Sequence, residues 1–368
     1  MRQQAVICAF SLAILPLQAI AQSSVTLTGR LDAGVSFVSN QGGGKNTILD
    51  TGDNVPNLLF FKGSEDLGGG TKAVFELVSQ LNLANGTTVP SGNSLFGRQA
   101  YVGLKNDRYG SFTMGNQYEF MHDSLLFGGF DAALTYGGFY TFRQGPFAAL
   151  GVPNNPTGSS DFDRVAGLSR VTNSVRYKSP DLSGFSFGML YGFGGTAGDF
   201  SANSTESVGA NYSIGALSLG AAYTDERYEQ LNNGHDSIRN WGLGASYQID
   251  QTTLNLLYTN TKNTLTGATV DVVQGGANCF VTPFVTIGAS YEYMRGNDVL
   301  NNNYAHQATV VAQYWLSKKT NVYVQGVYQY ANGDGGNATA WINGLYGREA
   351  ASSTHSQTIA RVGMATRF

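Results

Sequence analysis

Charge is scarce in this chain. Asp, Glu, Lys and Arg make up 13 % of its 368 residues, about half the roughly 25 % usual in soluble domains. There is no basic excess to neutralise phosphates: the formal net charge is −3, which argues against nucleic acid as a partner. Proline is rare, at 8 residues, and the glycines follow no period of three, so collagen is excluded. Of two cysteines, Cys8 lies in an N-terminal apolar run and Cys279 stands alone. No intrachain disulfide and no cysteine-based metal site is available to the rest of the chain. Long apolar stretches are missing too. The one run, Ala5 to Ala21, contains Pro16 and Gln18 and is shorter than the ~20 residues a membrane helix needs.

That run has the parts of a secretory signal peptide. Arg2 precedes it, Val6 to Leu17 is its apolar stretch, and Ala19-Ile20-Ala21 is a small-residue cleavage site. The expected organisation is a signal peptide over 1–21 and one domain over 22–368.

What the chain does have is glycine (48), tyrosine (20) and phenylalanine (21), with aromatics at 12 %, too many for a disordered segment. They sit in stretches that alternate at period two. Val25, Leu27, Leu31, Val35 and Phe37 alternate with Thr26, Arg30, Asp32 and Ser36. Trp241, Leu243, Ala245 and Tyr247 alternate with Gly242, Gly244 and Ser246. Alternation of this kind marks strands with one greasy and one polar face. Sixteen such segments are expected, from 24–38, 57–65, 71–81, 96–106 and 109–118 through 170–179 to 305–316, 320–330 and 356–368. Many run near ten residues, the length of a tilted membrane-crossing strand. Tyr101, Tyr109, Tyr191, Tyr247, Tyr258, Tyr293 and Tyr328 fall near strand ends, where an interfacial girdle is expected. Hydrocarbon offers no water to free backbone groups, so the sheet must close. The predicted fold is all-β, a 16-stranded antiparallel transmembrane β-barrel.

Connections alternate between short turns and long loops (39–56, 82–95, 119–169, 195–204, 227–236, 296–304, 331–355), as in outer-membrane barrels. Segment 119–169 is far longer than ordinary connections. It carries Phe120, Met121, Leu125, Leu126, Phe127, Phe130 and Phe142, too apolar for a loop in water, and is expected to fold inward against the wall.

Several stretches then match a family. SSVTLTGRLDAGV from Ser23, FKGSEDLGGG at Phe61 to Gly70, LFGRQAYVGL at Leu95 to Leu104, NSVRYKSP at Asn173 to Pro180, LSKKT at Leu316 to Thr320 and the terminal Phe368 resemble the general diffusion porins of Gram-negative outer membranes, particularly those of beta-proteobacteria. The resemblance implies a homotrimer among outer-membrane lipids. It implies a third loop folded into the lumen as a constriction, and a Phe368 read by the barrel insertion machinery. Function is then passive diffusion of ions and small hydrophilic solutes through a water-filled channel, with no bond chemistry and no cofactor.

Strand parity turns Arg30, Asp32, Lys62, Arg98, Arg170, Arg176 and Lys178 toward the lumen, with Tyr101, Val171 and Val175 outward. A lipid-facing Arg or Lys would cost ~2–4 kcal/mol at the midplane. The resemblance makes Arg30, Lys62, Arg98, Arg170 and Arg176 a pore-lining basic cluster. By position on the long loop, Glu119, Asp123 and Asp131 are the acids expected to face it and set up a transverse field. One departure stands out. Many relatives have Arg-Leu-Gly where this chain has Leu58-Leu59-Phe60. By parity Leu58 and Phe60 face the lumen, which removes a cation, adds apolar bulk and predicts a narrower pore with a weaker anion preference.

GGGKNT at Gly42 to Thr47 lacks the ending of a phosphate loop. His122, His235, His306 and His355 have no metal spacing, and His306 has no G-x-S-x-G beside it that would suggest a lipase. A substrate-specific channel for a sugar or organic acid remains the rival, with Tyr136, Phe139, Tyr140 and Phe142 as stacking surfaces. A soluble β-sandwich is the other.

Overall fold

The computed structural model describes residues 23–89, 94–141, 143–344 and 350–368. The expected signal segment lies outside them, as does Phe142. Seventeen strands follow in order: β1 (Ser24–Gln41), β2 (Gly44–Thr51), β3 (Leu58–Gly68), β4 (Thr71–Gln80), β5 (Gln99–Asn106), β6 (Gly110–Gln117), β7 (Val171–Lys178), β8 (Phe185–Gly192), β9 (Thr205–Ile214), β10 (Leu217–Arg227), β11 (Ser237–Ile249), β12 (Thr252–Asn263), β13 (Thr269–Thr282), β14 (Val285–Gly296), β15 (Tyr304–Trp315), β16 (Thr320–Asn332) and β17 (Ser356–Arg367).

All pair antiparallel with their neighbours, and β17 returns to β1 in register from Arg30 opposite Arg367 to Val38 opposite Ile359. The sheet is closed. β1 pairs with β3 along Ser24–Arg30 and with β2 along Ala33–Gln41. Thus β2 and β3 are two halves of one wall position, and the barrel has sixteen positions. Here the sequence reading of 39–56 as one open loop is corrected. Gly42 and Gly43, both at positive φ, make a tight turn into β2, and only 52–57 leaves the wall, turning inward. The tight turn fits because glycine has no Cβ to clash there.

The two faces divide as closure in hydrocarbon requires. Val35, Phe37, Leu243, Val310, Val324, Val362 and Met364 are exposed on the outside, while Asp32, Ser36, Gln325, Gln329 and Arg361 are buried on the inside. Phe368 caps the seam: its backbone exchanges two hydrogen bonds with Gly29 (3.1 and 3.0 Å), and its ring lies where a Cβ on residue 29 would be.

Parity fails at two places, for local reasons. Tyr101 points inward, its hydroxyl donating to Glu76 Oε2 at 2.7 Å, because Val102 and Leu104 take the outer face. Arg98 still points inward because it precedes β5 and is not bound by its alternation. Val171 is also turned in, packed with Phe120 and Leu190. Asn173 adopts φ 48°, and the β6–β7 register shifts between Gly115 and Gln117, so the alternation flips between Val171 and Val175.

Loop 119–169 folds into the lumen. A π-helical turn, Met121–Leu126, packs on β9, β10 and β11, and a short helix α1 (Ala132–Gly137) lies against β13, β14 and β15. Inward glycines make the room. A Cβ on Gly188 or Gly209 would strike Phe120, one on Gly220 or Gly244 would strike Phe130, and one on Gly288 would strike Tyr136, all within 2.7 Å. Elsewhere the wall supplies apolar inward residues. Ile238, Val270, Val272 and Met294 meet Phe147, Leu150 and Phe162. Gly244→Val is therefore expected to eject Phe130 and loosen the loop. Single-channel recording should show larger, noisier currents, with the barrel itself still folded.

Candidate functional site

Two buried arginines, Arg143 and Arg164, hold the loop to the wall, and a third, Arg361, holds the 52–57 excursion. Arg143 reaches Asp131 (2.7 Å), Asp163 (3.0 Å) and Glu292 (2.6 Å). Arg164 lies 3.7 Å from Glu119 and pairs with Glu226. Arg361 reaches Asp32 (3.0 Å) and Asp53 (3.1 Å), while its Nε donates to Tyr323 at 2.7 Å and Nη1 to Ser36 at 2.9 Å. Sequence reasoning missed Asp53, Asp163, Arg164, Glu226 and Glu292. They lie far apart in the chain and meet only once the loop is inside.

A cavity of about 570 Å³ lies between loop and wall. Its wall is a ladder of register rows. Arg30 stands opposite Leu58, and Leu58 opposite Gln80, whose Oε1 accepts from Arg98 Nη1 at 2.9 Å. The next row holds Thr28, Phe60 and Val78, and the next Thr26, Lys62, Glu76 and Tyr101. Alternate residues along a strand are roughly 6.8 Å apart. The excursion 52–57 lines one edge with Asp53, Val55 and Pro56. The loop closes the far side with Asp123, Leu126, Phe127 and Phe139.

Each residue singled out in the sequence has a definite place. Arg30, Lys62, Arg98 and Arg176 line the cavity, as do Leu58 and Phe60. Arg170 instead clamps the loop's exit, donating to the carbonyls of Gly97 (3.1 Å), Gly167 (3.1 Å) and Leu168. Of the three loop acids, only Asp123 reaches the cavity. Glu119 and Asp131 are buried in the seam behind it, against Arg164 and Arg143, because the loop's own arginines draw them there. A row of three acids facing the basic wall is therefore replaced by one. Tyr136 and Tyr140 are likewise packed into the wall, their hydroxyls on Asn255 and Ser36; Phe139 does line the cavity.

Each carboxylate lining the cavity has a cation within 3.2 Å, although Asp53 shares Arg361 with Asp32. Glu76 is 3.2 Å from Lys62, Asp53 is 3.1 Å from Arg361, and Asp123 is 2.7 Å from both Arg176 and Lys178. Burial alone would raise the Asp123 carboxyl; Arg176 and Lys178 outweigh it and hold it below the usual carboxylate range. Arg30 and Arg98 have no carboxylate partner among the described residues, and the Nε of each is buried without an acceptor. Arg98 instead lies 5.5 Å over the ring of Tyr118. His122, stacked on Tyr118 at 3.9 Å with Nδ1 2.8 Å from Val165 O, is pushed down to about 3 by burial. It stays neutral across pH 5–8, so His122→Phe is expected to leave the slope of conductance against pH unchanged in bilayer recordings.

The family profile described as Gram-negative porin matches residues 5–336. An outer membrane porin protein of Bordetella pertussis is 31 % identical over 66 % of this chain and 65 % of its own length. A major outer membrane protein P.IB of Neisseria meningitidis serogroup B is 29 % identical over 86 % of this chain and 90 % of its own. Among solved structures, the anion-selective porin from Comamonas acidovorans superposes with a TM-score of 0.77 at 24 % identity, covering 94 % of this chain and all of that one. Salmonella typhi OmpF gives 0.64 at 18 %, covering 94 % and 97 %.

Proposed function

The chain belongs to the Gram-negative porin family and is an outer-membrane diffusion channel, and we propose that it passes small hydrophilic anions in preference to cations. The carrying observation is the pair Arg30 and Arg98, two cations on the cavity with no carboxylate partner, where every lining carboxylate already has a cation. An ion entering low dielectric unaided meets a Born cost of order 20 kcal/mol, which a water-filled lumen removes. Selection then rests on bore and wall charge. An anion passing Arg30 and Arg98 is drawn inward; a cation is repelled and finds no free carboxylate to compensate. Leu58 and Phe60 contribute apolar bulk where they line the cavity, which narrows the polar path and leaves the preference to these two residues.

The same reading includes a homotrimer set among outer-membrane lipids, with the exposed apolar residues of the first five strands as the surface between subunits. It also includes export by the 1–21 signal and insertion through Phe368. Purified protein in a planar bilayer under a tenfold KCl gradient tests it. A reversal potential of the sign set by chloride is expected. A value near zero or of potassium sign overturns the anion preference, and absence of conductance overturns the channel.

A further inference from the structure

The cavity is not lined as an ion path alone would need. Against two guanidinium groups that pair with no carboxylate among the described residues stand apolar surfaces on both sides. Phe60 comes from the wall and Leu126 and Phe127 from the loop, with Leu58, Val78 and Phe139 almost wholly buried behind them. Leu58 lies in the same register row as Arg30, and Phe60 is one row further along the same face. Phe127 packs edge-on against His122 at 4.7 Å yet remains 67 % exposed. Exposed apolar surface of this kind is costly unless something docks on it.

Resting on the channel reading above, we propose that this cavity is a transit site for small aromatic monocarboxylates. The carboxylate engages Arg30 and Arg98, and the ring lies between Phe60 with Leu58 and the loop residues Leu126 and Phe127. A carboxylate accepting from guanidinium makes the stronger, charge-assisted kind of hydrogen bond. The volume falls within the roughly 300–1,000 Å³ of small-molecule pockets, which combine mostly apolar walls with a few placed polar groups. A cationic solute of the same shape has no free carboxylate to meet, since Glu76, Asp53 and Asp123 are each within 3.2 Å of a cation.

Block of chloride current in planar bilayers tests the site, with benzoate, cyclohexanecarboxylate, acetate and benzylammonium as probes. Benzoate is expected to half-block at a concentration at least tenfold below acetate, with benzylammonium failing to block. Phe60→Ser, and independently Leu126→Ser on the facing side, should bring the benzoate-to-acetate ratio toward one. Arg30→Gln should weaken block by both anions. Val310→Ala on the lipid face serves as control and should change nothing, and heat-modifiable migration on gels confirms that each variant is folded. Equal half-block by benzoate and acetate in a channel that still prefers chloride overturns the site and leaves the anion channel standing. Block by benzylammonium as strong as by benzoate overturns the charge assignment. A ratio unmoved by both serine variants places the ring elsewhere and overturns the site as drawn. A wild-type protein with no chloride preference overturns the reading on which the site rests.

Discussion

A channel carrying Arg143→Met is expected to conduct more current than the parent and to flicker, while its barrel stays folded until heated. Arg143 is 2 % exposed and touches three carboxylates, of Asp131, Asp163 and Glu292, that are themselves no more than 2 % exposed. Removing one partner from a buried pair costs about 3–5 kcal/mol, because the remaining charge is stranded without water. Here three carboxylates lose the same cation. The strand ladder carries none of this cost: its hydrogen bonds do not involve the loop. Relief therefore comes by local opening, with segment 131–163 lifting from β12 and β14 to let water reach the acids. Adding Asp131→Asn, Asp163→Asn and Glu292→Gln should restore steady current at pH 7. Steady parent-like conductance in the single variant at pH 7 would show that the arginine does not hold the loop.

The barrel was legible from the chain because period-two alternation is imposed by the solvent on both sides: lipid demands Val35, Leu243 and Val310, and water admits Asp32 and Gln325. Closure follows from that demand alone. The inward path of the loop was legible from its phenylalanines. What alternation could not carry is where the loop lies. Yet a trace of it is written on the strands. Val270, Val272, Met294 and Ile238 are apolar on the inward face, and Gly188, Gly209, Gly220, Gly244 and Gly288 leave that face bare; both departures mark ground covered by the loop. Charge partners were the least legible part. Glu119 and Asp131 go to Arg164 and Arg143 instead of facing the basic wall, and nothing in sequence spacing distinguishes a carboxylate bound for a seam from one bound for a pore. Tyr101 and Val171 were misassigned because Arg98 lies outside its strand and Asn173 inserts a left-handed residue; each breaks the alternation that the parity argument extends.

Replacing Arg30 and Arg98 together by Gln is expected to abolish most of the chloride preference, a fall on the order of tenfold in the chloride-to-potassium permeability ratio. Two unit charges about 10 Å apart in water interact by about 0.4 kcal/mol. Each lost guanidinium removes that much attraction for an anion near it and that much repulsion for a cation, so the two effects compound in the ratio. The neighbouring cations replace little of this: Lys62 is tied to Glu76, and Arg176 and Lys178 share Asp123, which leaves that trio one net positive charge and accounts for the part of the preference that remains. The double exchange Lys62→Gln with Glu76→Gln removes a pair of no net charge and should leave the reversal potential where it was. The effect of Arg30 and Arg98 should also fade with salt, since the screening length falls from about 10 Å at 0.1 M to about 3 Å at 1 M. Reversal potentials at the two concentrations measure both expectations. A double Gln variant that keeps the parent's chloride preference at 0.1 M would place the selecting charges outside this cavity.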